Sequence, residues 1–218
     1  QAMSIIDIAR DISEGLARAA CAGEVNGEVV DLRTVLDSDC ELNILTAKDE
    51  KGLAVLRHTA SHVLAQAVQN LYPEAKVAIG PSIDTGFYYD FDHEPFSRED
   101  LDTIEKEMKK IIKKGAKIER FTKSREDAIA YFKEKNEPYK VELIEDLPED
   151  AEISFYSQGD WTDLCAGPHL MSVKPVKAFK LLSSSSAYWR GSEKNAMLTR
   201  IYETAYATKD ELKEHLEQ

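Results

Sequence analysis

The sequence predicts an α+β protein built in two units. Apolar residues recur at helical spacing in several separate stretches, aromatic and β-branched runs lie between them, and a short polar break, Lys48-Asp-Glu-Lys-Gly52, divides the chain. In the first unit, placed at 1–47, Ile5, Ile8, Ala9 and Ile12 carry the period of one helix over 4–19. Glu24-Val-Asn-Gly-Glu-Val-Val30 reads as a hairpin turning at Asn26-Gly27, and 41–46 reads as a strand. The second unit, 48–218, opens on a helix over 53–72 with Leu56, Ala60, Val63, Leu64, Ala67 and Leu71 on its apolar stripe, stopped by Pro73. Gly86-Phe-Tyr-Tyr-Asp-Phe91 is an aromatic strand. Ser97 with Asp100 starts a helix continued by Leu101, Ile104, Met108 and Ile111, and Ser124 with Asp127 starts a shorter one ending near Lys135. Strands are expected near 152–156, 178–182 and 197–202, and a surface helix at 209–218.

Composition narrows the function. The chain has 218 residues, 43% hydrophobic and 31% charged, with a net charge of −12, which excludes a disordered, collagen-like or disulfide-scaffold protein. No run of 18 apolar residues exists, so no membrane-spanning helix is expected. Gln1-Ala2-Met3 is not followed by a secretory signal pattern, and three cysteines, odd and sparse, suit a reducing, cytoplasmic compartment. Residues 106–125 hold nine basic and two acidic side chains, 141–163 eight acidic and no basic, and 172–200 six basic and one acidic. Such alternation suits a protein that meets a polyanion on one face, and it equally suits the solvated faces of amphipathic elements.

The chemistry gathers in two pairs. His58 and His62 lie four apart on a predicted helix and share a face. Cys165 and His169 lie four apart in Asp163-Leu-Cys-Ala-Gly-Pro-His169, where Gly-Pro makes a bend. Three imidazoles and a thiol form a donor set suited to zinc; without metal they can hold a water and move protons near neutral pH. Either pair alone is a weak signal. Cys21 and Cys40 read as core packing, and His93 and His215 as surface residues.

Four ordered motifs carry a resemblance. Arg57-His-Thr-Ala-Ser-His-Val-Leu-Ala65, Ile79-Gly-Pro-Ser-Ile-Asp-Thr-Gly-Phe-Tyr-Tyr-Asp-Phe91, Asp163-Leu-Cys-Ala-Gly-Pro-His169, and Ala187-Tyr-Trp-Arg-Gly191 with Met197-Leu-Thr-Arg-Ile-Tyr202 together resemble the editing domain of the threonyl-tRNA synthetase family. The histidine and cysteine pairs are shared with alanyl-type editing domains; the aromatic stretches point to the threonyl branch. Residues 1–47 look like the small ubiquitin-like β-grasp (TGS) domain, through Ala20-Cys-Ala-Gly-Glu-Val-Asn-Gly-Glu-Val-Val-Asp31, here without its first hairpin. Nothing resembling the aminoacylation or anticodon-binding domains follows, so charging of tRNA by this chain alone is not expected. Ala166 stands where the family often has arginine.

The resemblance implies hydrolysis of serine from mischarged tRNA(Thr). One methyl is worth only about 1–3 kcal/mol, so a threonine pocket cannot strongly reject serine, and a second site can exclude the larger residue by clash. It places His58 on the terminal ribose hydroxyl or the attacking water and Lys140, in Glu137-Pro-Tyr-Lys-Val141, on a water or the developing oxyanion. It gives the pocket to His62, Tyr89, Cys165 and His169, and the substrate amino group to Asp163. By pattern alone Lys140 is a solvated lysine, Asp163 a loop-capping carboxylate and Tyr89 a core aromatic. Lys109, Lys110, Lys113, Lys114, Lys177 and Arg190 are the candidate contacts to the tRNA acceptor end. The threonyl branch implies no metal; zinc on His58, His62, Cys165 and His169 is the second expectation. Expected partners are tRNA(Thr) and the remaining synthetase domains, with no membrane, and a monomer. Competing readings are an alanyl-type zinc-dependent trans-editing protein and a non-catalytic RNA-binding module.

Overall fold

The computed structural model describes residues 2–83 and 85–217. The chain begins β1 (Met3–Ser4), α1 (Ile5–Ile12), α2 (Glu14–Ala19), β2 (Ala20–Val25), β3 (Glu28–Val30), β4 (Val35–Leu36) and β5 (Leu42–Thr46). It continues through α3 (Glu50–Leu71), β6 (Lys76–Val77), β7 (Ser82–Ile83), β8 (Gly86–Asp92), α4 (Arg98–Lys114), β9 (Ile118–Thr122), α5 (Arg125–Glu134) and α6 (Pro138–Glu145). The last elements are β10 (Ser154–Gln158), β11 (Trp161–Leu164), β12 (Ala178–Tyr188), a 3-10 turn (Trp189–Gly191), β13 (Met197–Tyr206) and α7 (Lys209–Leu216). This is the α+β organisation that the pattern predicts, with small antiparallel sheets between helices.

The helix expected over 4–19 is two helices. Ser13 is extended, and its hydroxyl accepts from Leu16 N–H at 3.0 Å, so a new helix starts there. A two-residue strand, β1, precedes α1 and pairs with β4. β3, β2 and β5 form a three-stranded antiparallel sheet whose face, with α1, buries Ile5, Ile6, Ala20 and Leu32. Cys21, Ala22 and Leu45 instead join the core around α3, so the N-terminal sheet and α3 share one apolar interior. Cys21 packs as expected. Cys40 does not: it is half-buried and lies outside the core clusters, on the irregular segment before β5.

α3 is the axis of the larger part. Every residue over 55–68 is buried except His58, which is half-buried. A helix covered on all sides must satisfy its polar side chains internally, and this one buries Thr59, Ser61, His62 and Gln66. The five-stranded sheet runs β12-β13-β8-β6, with β7 also on β8. Phe87, Tyr89 and Phe91 alternate inward from β8 beside Ile201 and Ala205 of β13. α4 starts with a full capping box on Ser97 and Asp100 and buries Leu101, Ile104, Met108 and Ile111. β12 runs well past the expected 178–182 and takes in the serine run at 183–186. It is an edge strand; Ser183, Ser185 and Ser186 are exposed, whereas the Ser184 hydroxyl is buried with no hydrogen-bond partner among the described residues.

The third sheet, β11-β10-β9, packs with α5 and α6 around Phe132, Val141, Ile144 and Phe155. α6 is absent from the sequence reading. It begins with Pro138 at its first position, a start signal hidden by the Asn-Glu-Pro run that reads as a loop. His93 and His215 are half-buried rather than free on the surface. His93 stacks on Phe96 with ring centroids 4.7 Å apart, and His215 lies 5.1 Å from the Tyr206 ring.

Candidate active site

α3 carries His58 and His62 on its inward face, with ring centroids 5.5 Å apart. Cys165 lies just past the end of β11, and a bend through the cis Gly167-Pro168 bond brings His169 back toward α3. Gly167 has φ +77, and its missing side chain lets the bend lie directly on the Tyr156 hydroxyl. The four residues converge. Cys165 Sγ is 3.4 Å from His58 Nε2 and 3.1 Å from His169 Nε2, the His58 and His169 rings stack at 4.3 Å, and His62 and His169 are 4.2 Å apart. Thr59 fixes His169 from behind: its hydroxyl meets His169 Nδ1 at 3.0 Å and accepts from Leu170 N–H at 3.1 Å.

Burial sets the charges here. Desolvation lowers the pKa of all three histidines, His62 to about 3 and His169 well below the usual imidazole value, so they are neutral bases at pH 7. Burial pushes the Cys165 thiol up to about 12, leaving it protonated.

A second cluster stands beside the first. Lys140, a solvated lysine by pattern alone and a site residue by the resemblance, is buried at 3% exposure because α6 turns it inward. Its ammonium donates to Asp163 Oδ1 at 2.9 Å and to the Tyr89 hydroxyl at 3.0 Å. Tyr89 in turn donates to Asp163 Oδ2 at 2.8 Å, Leu164 N–H donates to Oδ1 at 2.8 Å, and His62 Nε2 lies 3.4 Å from Oδ2. Burial raises the Asp163 pKa, but Lys140, His62 and Tyr89 outweigh it and hold the carboxyl below its ordinary value. Tyr89 is thus both core aromatic and hydrogen-bond donor, with Gly80 packed on its ring face. Asp163 sits on strand β11 rather than in a loop, and its acceptor sites are engaged by these groups.

Of the three histidines, His58 is the accessible one. It lines a cleft of about 480 Å³ with Val29, Lys51, Ala54, Val55, Pro81, Gly167 and Pro168, so the opening lies where the N-terminal sheet meets α3. Trp161 backs the cluster from the far side, its ring 5.4 Å from His62 and its N–H donating to Gln69 at 2.7 Å; Gln69 also donates to Glu137, which starts α6. Thr59, Trp161, Gln69 and Glu137 escaped sequence reading. Thr59 lies inside the His-x3-His span, which was the available signal.

The basic residues sit apart. Lys109, Lys110, Lys113 and Lys114 are exposed on α4, and three of them line an 830 Å³ groove with Gln66, Asn70 and Asp160. Lys177 is exposed as well. Arg190 is not free: it pairs with Glu142 at 3.7 Å and with Asp146, and lies over the Trp189 ring.

Among the described residues, His58, His62, Cys165 and His169 form a group that could hold a metal ion, with one donor atom from each within 4.8 Å of the others. Three nitrogens and a sulfur fit zinc, and Thr59 behind His169 Nδ1 is the kind of partner that orients a ligating imidazole.

Comparison with known proteins bears on these arrangements. Residues 1–46 match the TGS domain family, and residues 153–202 match the family described as the threonyl and alanyl tRNA synthetase second additional domain. The chain is similar to the N-terminal region of threonine--tRNA ligases. It is 62% identical to the threonine--tRNA ligase of Acetivibrio thermocellus, covering 97% of this chain and 34% of that protein. For the threonine--tRNA ligase of Clostridium novyi the identity is 59%, over 98% of this chain and 34% of that protein, and for that of Clostridioides difficile 57%, over 99% and 34%. The chain therefore spans about a third of the length of these threonine--tRNA ligases. No helix among the described residues is long and apolar enough to cross a membrane.

Proposed function

We propose that this chain hydrolyses the aminoacyl ester of mischarged Ser-tRNA(Thr), as the proofreading region of a threonine--tRNA ligase. The larger unit, 48–218, supplies the chemistry, and the small unit, 1–47, borders the cleft. The observation that carries the reading is the convergence of His58, His62, Cys165 and His169 beside a buried Lys140–Asp163 pair at the end of one cleft.

Each role follows from charge state. A neutral His58 at the cleft floor can hold the terminal ribose hydroxyl or accept a proton from an attacking water. Lys140 is an ammonium fixed in a water-poor setting, which suits it to positioning a water or stabilising negative charge on the ester oxygen. Asp163 and Tyr89 hold that ammonium in place. Cys165 is a poor nucleophile as a neutral thiol, which favours direct attack by water over an acyl-enzyme. With His62 and His169 it forms the wall that a serine hydroxymethyl would meet. The lysines of α4 and Lys177 offer phosphate contacts to the acceptor end, and tRNA(Thr), the remaining synthetase domains and a cytoplasmic setting follow from the same reading.

Zinc is the second reading, and the donor set favours it. When bound, zinc supplies a Lewis acid for an ester or water oxygen. Held by all four donors, zinc would fill its tetrahedral shell and leave no position for an ester or water oxygen, so a catalytic zinc would need one of the four displaced.

Deacylation of Ser-tRNA(Thr) and Thr-tRNA(Thr) by the whole chain tests the proposal. Serine should be released much faster than threonine, and His58→Ala should lose that release. Equal rates, or none, would sink it. One zinc per chain in protein purified without chelator would overturn the metal-free version.

A further inference from the structure

The bend that carries Cys165 and His169 is gripped by the small N-terminal unit. Residues 31–34 cross between α1 and the bend. Ile5 and Ile6 N–H donate to the Thr34 and Leu32 carbonyls at 2.9 Å, and Leu32 is wholly buried in the small core, so this segment is anchored from behind. Asp31 and Arg33 point the other way. Asp31 Oδ2 accepts from the Tyr156 hydroxyl at 2.6 Å and from His169 N–H at 3.2 Å. Asp31 Oδ1 accepts from Arg33 N–H at 2.8 Å and from its guanidinium at 2.9 Å. The guanidinium fork then reaches three carbonyls, of His169 at 3.3 Å, Leu170 at 2.8 Å and Ile118 at 2.6 Å. Tyr156, held by Asp31, packs its ring 4.5 Å from that of His169.

We propose that Asp31 and Arg33 are positioning residues for His169 and Cys165, so that the small unit is a working part of the hydrolytic site and not only its neighbour. The inference rests on the ester-hydrolysis reading for its kinetic consequence alone. The geometry needs both charges and both shapes. A guanidinium can serve several carbonyls in one plane, whereas a lysine ammonium at that place cannot span them. Asparagine at 31 keeps one acceptor oxygen and turns a donor toward N–H groups that need an acceptor. A displacement of the bend of about 1 Å is enough to cost on the order of 100-fold in rate.

The test uses the full chain with Asp31→Asn, Arg33→Lys and Tyr156→Phe, and the exposed Asp37→Asn as control. Serine release from Ser-tRNA(Thr) is split into kcat and KM, and the His169 ring nitrogens are followed by 15N NMR. Expected is a kcat loss on the order of 100-fold for Asp31→Asn and Arg33→Lys with KM little changed. A smaller loss is expected for Tyr156→Phe and none for the control. The His169 signals should move in all three variants, and the charge-conserving lysine should not rescue. Should Asp31→Asn fail to fold, Tyr156→Phe, which removes a single hydroxyl, carries the test. Wild-type kcat and unmoved His169 signals in Arg33→Lys and Tyr156→Phe would overturn the clamp. If the parent chain releases no serine, the hydrolysis reading fails while the NMR still decides the clamp.

Discussion

Asp163 and Glu203 are each 1% exposed, and the fold shifts their pKa values in opposite directions. Asp163 is ringed by donors from Lys140, Tyr89 and Leu164, with His62 Nε2 3.4 Å away, and its pKa is held below the ordinary carboxylate range. Among the described residues neither carboxyl oxygen of Glu203, on β13, has a hydrogen-bond partner, and its pKa is raised well above the usual value by burial and then by the nearby Glu105. Glu105 takes the donors in that region, Leu181 N–H at 2.8 Å and Lys180 at 3.3 Å. Equal burial thus goes with a lowered carboxyl pKa in one place and a raised one in the other. The number of aimed donors decides between them.

The largest test of this contrast removes one carboxylate at a time. Asp163→Ala strands the Lys140 ammonium in the interior and should cost about 3–5 kcal/mol in urea unfolding, together with serine release. Glu203→Met removes a carboxyl that no described residue satisfies and should leave the midpoint unchanged or raise it. Equal losses for the two would break the comparison.

The pH dependence separates them next. Glu203, with its folded pKa raised, binds a proton the unfolded chain has already lost. Its contribution is fully present below about pH 4.3 and is lost as pH rises through the folded pKa. Asp163, with its folded pKa lowered, contributes above about pH 3.9 and loses that contribution as pH falls through the folded value. The neutral histidines act on the same acid side: charging them destabilises the fold as pH drops from about 6.5 downward. Glu203→Gln should therefore flatten the profile above about pH 4.3 and leave the acid limb intact. A parallel shift of the whole curve would contradict this assignment.

The smallest effect on stability belongs to the exposed lysines. Lys113→Gln with Lys114→Gln should leave the unfolding midpoint in place and lower the slope of log affinity for tRNA against log salt by roughly 0.9 per lost phosphate contact. An unchanged slope takes the α4 groove out of the nucleic-acid path.

The elements legible in the sequence were those with local signals. Ser97 and Asp100 specify a capping box, Asn26-Gly27 a tight turn, and the stripe from Leu56 to Leu71 a long helix, and each needs only neighbours in the chain. His58 and His62 were readable as a pair for the same reason. Lys140 was readable only through the resemblance and not from its own pattern, since its burial depends on Asp163 and Tyr89, far away in sequence, and on a helix that a proline start disguised. Ser13, mid-pattern on an apolar stripe, could not announce that its hydroxyl would restart the helix. Asp31 and Arg33 carried no signal either, because what they hold is backbone and the Tyr156 hydroxyl, all far away in sequence.

Trp161 edges the His62 ring on one side and anchors to Gln69 on the other, and the chain has just two tryptophans. With Trp189 replaced by phenylalanine, the remaining indole becomes a built-in optical reporter sitting against the imidazoles. Its emission should respond to any change of charge or contact at His62 without any attached dye.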